Sequence, residues 1–486
     1  MISFFPYDKP RKCQSDALGA LASDWNSYDI FVLRIPVGGG KSAIAYSIAE
    51  YLKSVGQSAL ISVPNNILRT QYLNEFKDMN SVKGAEDYRL SDYGYPTDLL
   101  KNIKDVISAV KLKGNSKHTK AKRGLAYKFL NDIGNVYVND LRAVKNKDSV
   151  SVVNNYSNMA HKLYKNHDCV IFDEAHQILP TLQDLSVKKL TAKEYGFPKN
   201  LKSIDQLYEF MDANRDSEDP KIVKLVAAID DPNWSVSIEA DGLFEKALYL
   251  KPISVKDEPT LVWNNSNKLI FMSATIGEAD INRLNLGGRI RFLDFRSPIP
   301  AVNRPIIPMN IADMSRASIN ESLDSIVDTI KSLCDNYAND KGFIHVSYEL
   351  ALTLKPYLTD SRFVFMDKET KKEKFENFLT SDEPLVFVGS GMSEGIDLKY
   401  DKARFQIIPK IPYPSLADSR NKLILTNDPE YYSWQTAKEL IQMTGRVCRA
   451  EDDKGTTYVL DKQWNRWYTG CMSMLPMFFK EGVVNA

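Results

Sequence analysis

Cysteine is scarce in this 486-residue chain: Cys13, Cys169, Cys334, Cys448 and Cys471 are far apart, and no CxxC pair occurs. That argues against a disulfide framework or a cysteine-rich zinc site, and suits a reducing compartment. Long apolar runs are missing too. No stretch approaches the roughly 18 apolar residues of a membrane span, and residues 1–7 lack the apolar core of a secretion signal. Neither sign of charge dominates, with 63 Lys and Arg against 62 Asp and Glu. Any nucleic-acid contact must therefore come from local patches. No His-rich metal motif or extra carboxylate cluster stands out, which disfavours a nuclease. The composition is otherwise that of a soluble globular protein, and the length allows about three domain-sized units.

The most informative stretch is Arg34-Ile35-Pro36-Val37-Gly38-Gly39-Gly40-Lys41-Ser42. Ile30-Phe31-Val32-Leu33 before it reads as a buried strand, and residues 43–53 after it have helical spacing. Backbone N–H groups of Gly38, Gly39 and Gly40 at a helix start can cradle phosphate oxygens. Lys41 can reach the outer phosphates, and the Ser42 hydroxyl can ligate Mg²⁺. The full phosphate-loop pattern places a glycine where this chain has Ile35, so the loop alone also fits a Gly-rich turn with a surface lysine.

Upstream, Phe5-Pro6-Tyr7 precedes Arg11 and Gln14. A glutamine amide can pair with the edge of adenine, or simply open a helix at the surface. Downstream, Ser58–Val63 reads as a second buried strand leading to Asn66, a candidate DNA contact. Strand and helix alternate as in a parallel α/β sheet. Residues 77–150 interrupt that rhythm. Lys111, Lys113, Lys117, Lys120, Lys122, Arg123 and Lys128 crowd there with Tyr127 and Phe129. The stretch suits single-strand contact, with cations on phosphates and aromatics on bases, or a solvated, mobile loop.

Cys169-Val170-Ile171-Phe172 is an apolar strand ending in Asp173-Glu174-Ala175-His176. Carboxylates at the carboxyl end of a parallel strand sit where such sheets bind ligands. Asp173 can hold Mg²⁺ through its water shell, and Glu174 can orient and deprotonate a water. Residues 177–265 read as a mostly helical insertion. Lys268–Met272 is another strand, ending in Ser273-Ala274-Thr275. A second α/β unit follows, with strands around 342–347, 363–365 and 385–388, and the segment Ser393-Glu394-Gly395-Ile396-Asp397. Gln442, Gly445, Arg446 and Arg449 fall in a run predicted helical from Ala437, with both arginines on one face. The glycine there points to a close approach.

In this order the motifs resemble those of superfamily-two helicases of the DinG/XPD-like family, in which two RecA-like domains share one ATP. The resemblance rests on Phe5-Pro6-Tyr7 with Arg11 and Gln14, the Gly-Lys-Ser loop, Asn155, the DEAH and Ser-Ala-Thr segments, and Ser297-Pro298. Glu394–Asp397, Ile411-Pro412-Tyr413-Pro414, Tyr431-Tyr432-x-Trp434, Gln442-x-x-Gly445-Arg446-x-x-Arg449, Asp453-x-Gly455 and Asp461 complete it. It implies an α/β fold of two RecA-like parallel-sheet domains in tandem, 1–298 and 299–486. The first would carry a basic insertion (77–150) and an arch-like helical one (177–265).

It implies ATP and Mg²⁺ as cofactors. Arg11, Gln14, Gly38, Gly39, Gly40, Lys41, Ser42, Gly395, Asp397 and Gln442 would hold the nucleotide, and Ser42 and Asp173 the metal. Lys41, Asp173, Glu174, Arg446 and Arg449 would be catalytic. His176, Ser273 and Thr275 would couple hydrolysis to motion. Lys117, Lys120, Lys122, Arg123 and Asn66 would touch DNA. The expected activity is 5′→3′ translocation on single-stranded DNA with strand separation. A remodeller of protein–nucleic acid complexes, an RNA-directed ATPase and an ATP-gated clamp are the alternatives. Tailed or forked duplexes and single-strand-binding or replication proteins are the expected partners of a cytoplasmic monomer in a bacterium or a phage-infected host. Many family members carry an iron–sulfur cluster on four cysteines between the phosphate loop and DEAH. Here only Cys169 lies in that interval, so no such cluster is expected, and Gln463 stands where the family usually has Arg.

Overall fold

Runs such as Ile30-Phe31-Val32-Leu33 have no polar face, and the chain buries them on both sides within parallel sheets. The computed structural model describes residues 1–95, 100–113, 116–146, 150–241, 245–256, 268–284, 286–367, 369–389 and 398–484. In chain order its strands are β1 (Ile30–Arg34), β2 (Ala59–Val63), β3 (Asn80–Val82), β4 (Val150–Asn154), β5 (Cys169–Asp173), β6 (Lys188–Leu190), β7 (Trp234–Asp241) and β8 (Glu245–Pro252). They continue with β9 (Lys268–Ser273), β10 (Ile290–Asp294), β11 (Ile306–Ala312), β12 (Gly342–His345), β13 (Phe363–Phe365), β14 (Val386–Gly389), β15 (Phe405–Ile408) and β16 (Thr456–Asp461).

The first sheet runs β10-β1-β9-β5-β2-β4-β3 and is parallel throughout. Its order matters for function. β1, β9 and β5 are direct neighbours, so the segments leaving their carboxyl ends are brought together: the glycine loop, Ser273-Ala274-Thr275 and Asp173-Glu174. The second sheet, β11-β16-β15-β12-β14-β13, is also parallel.

Helices Lys12–Asp24 and Lys41–Ser54 cover one face of the first sheet, with Leu18, Leu21, Ile44 and Ile48 packed against Phe31, Ile61 and Ile171. The other face belongs to an apolar core that continues into the second unit. Phe172, Phe271 and Ile276 share it with Trp434, Leu440, Ile441 and Trp464. The two sheets are thus joined by core packing.

From Lys117 on, the basic stretch lies in a helix, Lys117–Lys145, which corrects the mobile-loop alternative there. Ser116 caps it by accepting from Thr119 N–H at 3.1 Å. Ala126, Phe129, Ile133, Tyr137 and Val144 recur at helical spacing and are buried. Lys117, Lys120, Tyr127 and Lys128 are exposed, so Tyr127 and Phe129 part company across the helix. Within the same interval, β3 joins the first sheet as its edge. The second insertion has the expected helices, Ile178–Leu185, Ile204–Ala213 and Pro220–Asp230 among them. It also holds an antiparallel sheet, β6-β8-β7, that the apolar spacing did not reveal. Among the described residues no helix is long and apolar enough to cross a membrane.

Candidate nucleotide site and its link to the second sheet

The glycine loop has a backbone that only small residues adopt readily. Gly38 and Gly40 have φ of +74° and +73°, a region that disfavours side chains, and Gly40 caps helix Lys41–Ser54. The first N–H groups of that helix have no acceptor within it and face outward with its positive dipole end. A Cβ on Gly38 would lie 2.7 Å from the Arg449 carbonyl oxygen, and one on Gly40 2.2 Å from Gln14 Nε2. The Arg449 carbonyl and the Gln14 amide thus leave no room for a side chain at either position. Ile35, the departure from the loop pattern, is fully buried in the core. A Cβ on Gly39 would come within 2.8 Å of its Cγ2, so Gly39 supplies the space beside Ile35.

The loop is braced from helix Lys12–Asp24. Arg11 donates from its guanidinium to the Gly38 carbonyl, Cys13 Sγ lies 3.6 Å from the Gly39 carbonyl, and Gln14 Nε2 donates to the Gly40 carbonyl at 3.2 Å. Gln14 Oε1 also accepts from Arg11 N–H at 2.8 Å. Both ends of the Gln14 amide therefore bond within the chain, and its direct partner is the loop.

Lys41 Nζ pairs with Glu174 Oε1 at 2.8 Å. Burial opposes the Lys41 charge, but the Glu174 and Asp173 carboxylates more than offset it and hold its pKa above the usual value. Burial likewise opposes ionisation of Glu174, yet Lys41 and His176 pull its pKa well below the carboxylate range. Asp173 shifts the other way: burial outweighs Lys41 and raises it. Glu174 sits at φ +48°, in the left-handed region that non-glycine residues avoid. Its N–H donates to Asp173 Oδ1 at 2.9 Å. Such strain, on the order of 1–3 kcal/mol, collects at functional sites.

From Glu174 the polar contacts continue toward the second unit. His176 Nδ1 lies 3.5 Å from Glu174 Oε2 and 2.8 Å from Ser273 Oγ. Its Nε2 is 2.7 Å from Gln442 Nε2, and Gln442 donates to Thr275 Oγ1 at 3.4 Å. An amide donor at Nε2 makes that nitrogen the acceptor, which places the imidazole proton on Nδ1. Lys41, Glu174, His176, Ser273, Thr275 and Gln442 thus form one connected cluster.

Gln442 lies near the end of helix Pro429–Thr444. The helix stops there, so Arg446 and Arg449 follow it in a turn, a correction to the expected shared helix face. A Cβ on Gly445 would meet Val37 at 2.8 Å, which is the close approach that glycine permits. Arg449 lies close enough to the loop for its charge to bear on Lys41. Arg446 is buried, and its charge bears on His345 in β12. Asp453 organises this turn. Its carboxylate accepts from Arg449 N–H, Tyr400 N–H and Arg404 Nη1 at 3.1–3.2 Å.

Family models agree with this layout. Residues 8–196 match the family described as "Type III restriction enzyme, res subunit", and residues 340–474 match "Helicase C-terminal domain". A helicase-type model thus matches the second unit and a restriction-enzyme res-subunit model the first. A relative in Methanocaldococcus jannaschii, a probable ATP-dependent helicase, is 24% identical over 250 residues, covering 46% of this chain and 38% of the relative. The chain thus matches well under half the length of that curated relative. Among solved structures, an Xpd protein of S. tokodaii superposes with a TM-score of 0.56 at 13% identity, covering 98% of this chain and 100% of that one. An apo XPD structure gives 0.55 at 13% identity, covering 95% and 99%. At that identity the likeness is one of fold.

Gly395 and Asp397 lie outside the described residues. Asn66 is turned inward, donating to Asp87 at 2.7 Å and accepting from the Asn154 amide at 2.8 Å. Lys117, Lys120, Lys122 and Arg123 sit apart from the loop on the insertion helix, and the Arg123 guanidinium donates to the Leu112 carbonyl at 3.1 Å. Two residues at the site escaped sequence reasoning. Tyr72 OH donates to Asp173 Oδ2 at 2.7 Å, and Asp280 binds Trp434 and Lys438 across the two units. The only sequence signal was an aromatic in a helix after β2 and an acid shortly after Ser-Ala-Thr.

Proposed function

We propose that the chain is an ATP- and Mg²⁺-dependent helicase that moves 5′→3′ on single-stranded DNA and separates tailed or forked duplexes. The observation that carries this reading is the connected cluster from Lys41 through Glu174 and His176 to Gln442. It joins a phosphate-binding loop on one sheet to a helix of the other unit, which is what a motor needs and a simple binder does not.

In this reading bound Mg·ATP supplies the phosphoryl bond whose hydrolysis drives the cycle. The N–H groups of Gly38, Gly40, Lys41 and Ser42 would hold phosphate oxygens, with Arg11 and Gln14 keeping the loop in shape, while the Gly39 N–H braces the loop by donating to the Pro36 carbonyl at 2.9 Å. Ser42 and Asp173 hold the metal. Glu174, kept ionised by Lys41 and His176, would accept the proton of the attacking water. Arg449 and Arg446 supply positive charge from the second unit, a contribution on the order of 10³–10⁵ in rate in related systems. His176, Ser273, Thr275 and Gln442 transmit the change between units, because rearranging one side breaks hydrogen bonds on the other. Gly395 and Asp397 are assigned to the nucleotide by the motif resemblance alone. Lys117, Lys120, Lys122 and Arg123 grip the strand.

The test is steady-state ATP turnover with and without single-stranded DNA. The chain is expected to turn over ATP faster with DNA present, and Lys41→Ala to abolish turnover. Undiminished turnover in Lys41→Ala would remove the phosphate-loop assignment. A chain that binds DNA in an ATP-dependent way without multiple turnover would be a clamp.

A further inference from the structure

Tyr72 lies on helix Asn66–Glu75, which leaves the carboxyl end of β2 beside β5. It is 1% exposed, and its hydroxyl donates to Asp173 Oδ2 at 2.7 Å. The other oxygen of Asp173 accepts the Glu174 N–H at 2.9 Å. Each carboxylate oxygen therefore has one fixed donor, and the plane of the group is set. We propose that Tyr72 is a positioning residue for the metal site: it holds the Asp173 carboxylate in the orientation that receives Mg²⁺ and its water shell. The inference rests on the nucleotide-site reading above.

The surroundings explain why Tyr72 can do this. Its ring is held by Phe76, with centroids 5.7 Å apart, and Phe76 stacks on Tyr46 of the loop helix at 4.3 Å. The start of the same helix is tied down as well. Asn65 caps it by accepting from Leu68 N–H at 3.0 Å, and Arg69 donates to Ser81 Oγ at 2.8 Å. The hydroxyl is thus delivered from a helix anchored at both ends. A phenylalanine would pack as well in this place. The hydroxyl's one visible use is the carboxylate, since a buried Tyr oxygen needs a partner.

The test reads binding, not turnover. A fluorescent ADP analogue is titrated into the full chain in EDTA and then across a Mg²⁺ series, for the natural chain, Tyr72→Phe, Asp173→Asn and the double variant. Losing one fixed hydrogen bond of about 1 kcal/mol should raise the half-saturating Mg²⁺ of Tyr72→Phe about fivefold and leave affinity in EDTA unchanged. Because Tyr72 acts through Asp173, adding Tyr72→Phe to Asp173→Asn should change nothing further. An unchanged Mg²⁺ midpoint in Tyr72→Phe, or additive effects in the double variant, overturns the proposal. If the natural chain shows no nucleotide binding at all, the nucleotide-site reading fails first and the proposal with it.

Discussion

Replacing Asp280 with asparagine probes how the two units are joined. The Asp280 carboxylate is buried and accepts four donors: Gly277 N–H at 3.0 Å, Trp434 Nε1 at 2.7 Å, Tyr431 OH at 3.2 Å and Lys438 Nζ at 2.7 Å. Three of them come from helix Pro429–Thr444. Burial opposes the Lys438 charge, and Asp280 is the first of the groups that restore it and raise its pKa. Asparagine keeps the shape but leaves this cation buried without its carboxylate. Breaking one side of such a pair costs about 3–5 kcal/mol, whereas removing both charges is far milder. Asp280→Asn should therefore lower stability by that amount, and adding Lys438→Met should recover at least half of it. Urea unfolding followed by tryptophan fluorescence measures both, since Trp434 lies in the contact. Trp434, Lys438 and Gln442 are spaced by four, on one face of the helix. The same substitution should therefore loosen Gln442 and reduce DNA stimulation of turnover. A loss below about 1 kcal/mol, or a double variant as unstable as the single one, would refute the reasoning.

Other outcomes follow from particular groups. Burial lowers the His345 pKa from 6.5 to about 4. The unfolded chain takes up that proton first, so the stabilisation is full above pH 6.5 and is lost as pH falls toward 4. Between pH 7 and 5 the natural chain should lose about 2 kcal/mol that a His345→Gln variant does not lose, as measured by unfolding at each pH. Equal losses in both would show that His345 titrates normally. Changing Lys117, Lys120, Lys122 and Arg123 together to alanine should weaken single-strand binding. It should also flatten the slope of log affinity against log salt by up to about 3, at roughly 0.7 per phosphate contact. An unchanged slope would remove the insertion helix from the DNA path.

The parts of the fold legible in the sequence are those where local chemistry and tertiary role agree. The loop announces itself because the φ of Gly38 and Gly40 favours glycine, and β1, β5 and β9 do because strands buried on both faces cannot be polar. Other elements carry weaker marks. β11 holds a proline and an asparagine and is only partly buried, and β3 has three residues, so neither forms a long apolar run. Val447 and Cys448 continue the apolar spacing of helix Pro429–Thr444 past its end, so the sequence pattern runs on through Arg446 and Arg449, although both apolar residues are buried from an irregular segment. Contacts between distant segments leave no local trace at all. Asp280 with Lys438 and Tyr72 with Asp173 join residues more than 100 positions apart, and only the folded chain reveals them.

The central claim is tested most directly by ATP-dependent strand separation on two matched duplexes, one with a 5′ and one with a 3′ single-stranded tail, using Glu174→Gln as the inactive control. Opening of the 5′-tailed duplex alone is the predicted result. Opening of the 3′-tailed duplex alone would contradict the polarity. If neither opens while DNA still stimulates ATP hydrolysis, strand separation is not what this motor does.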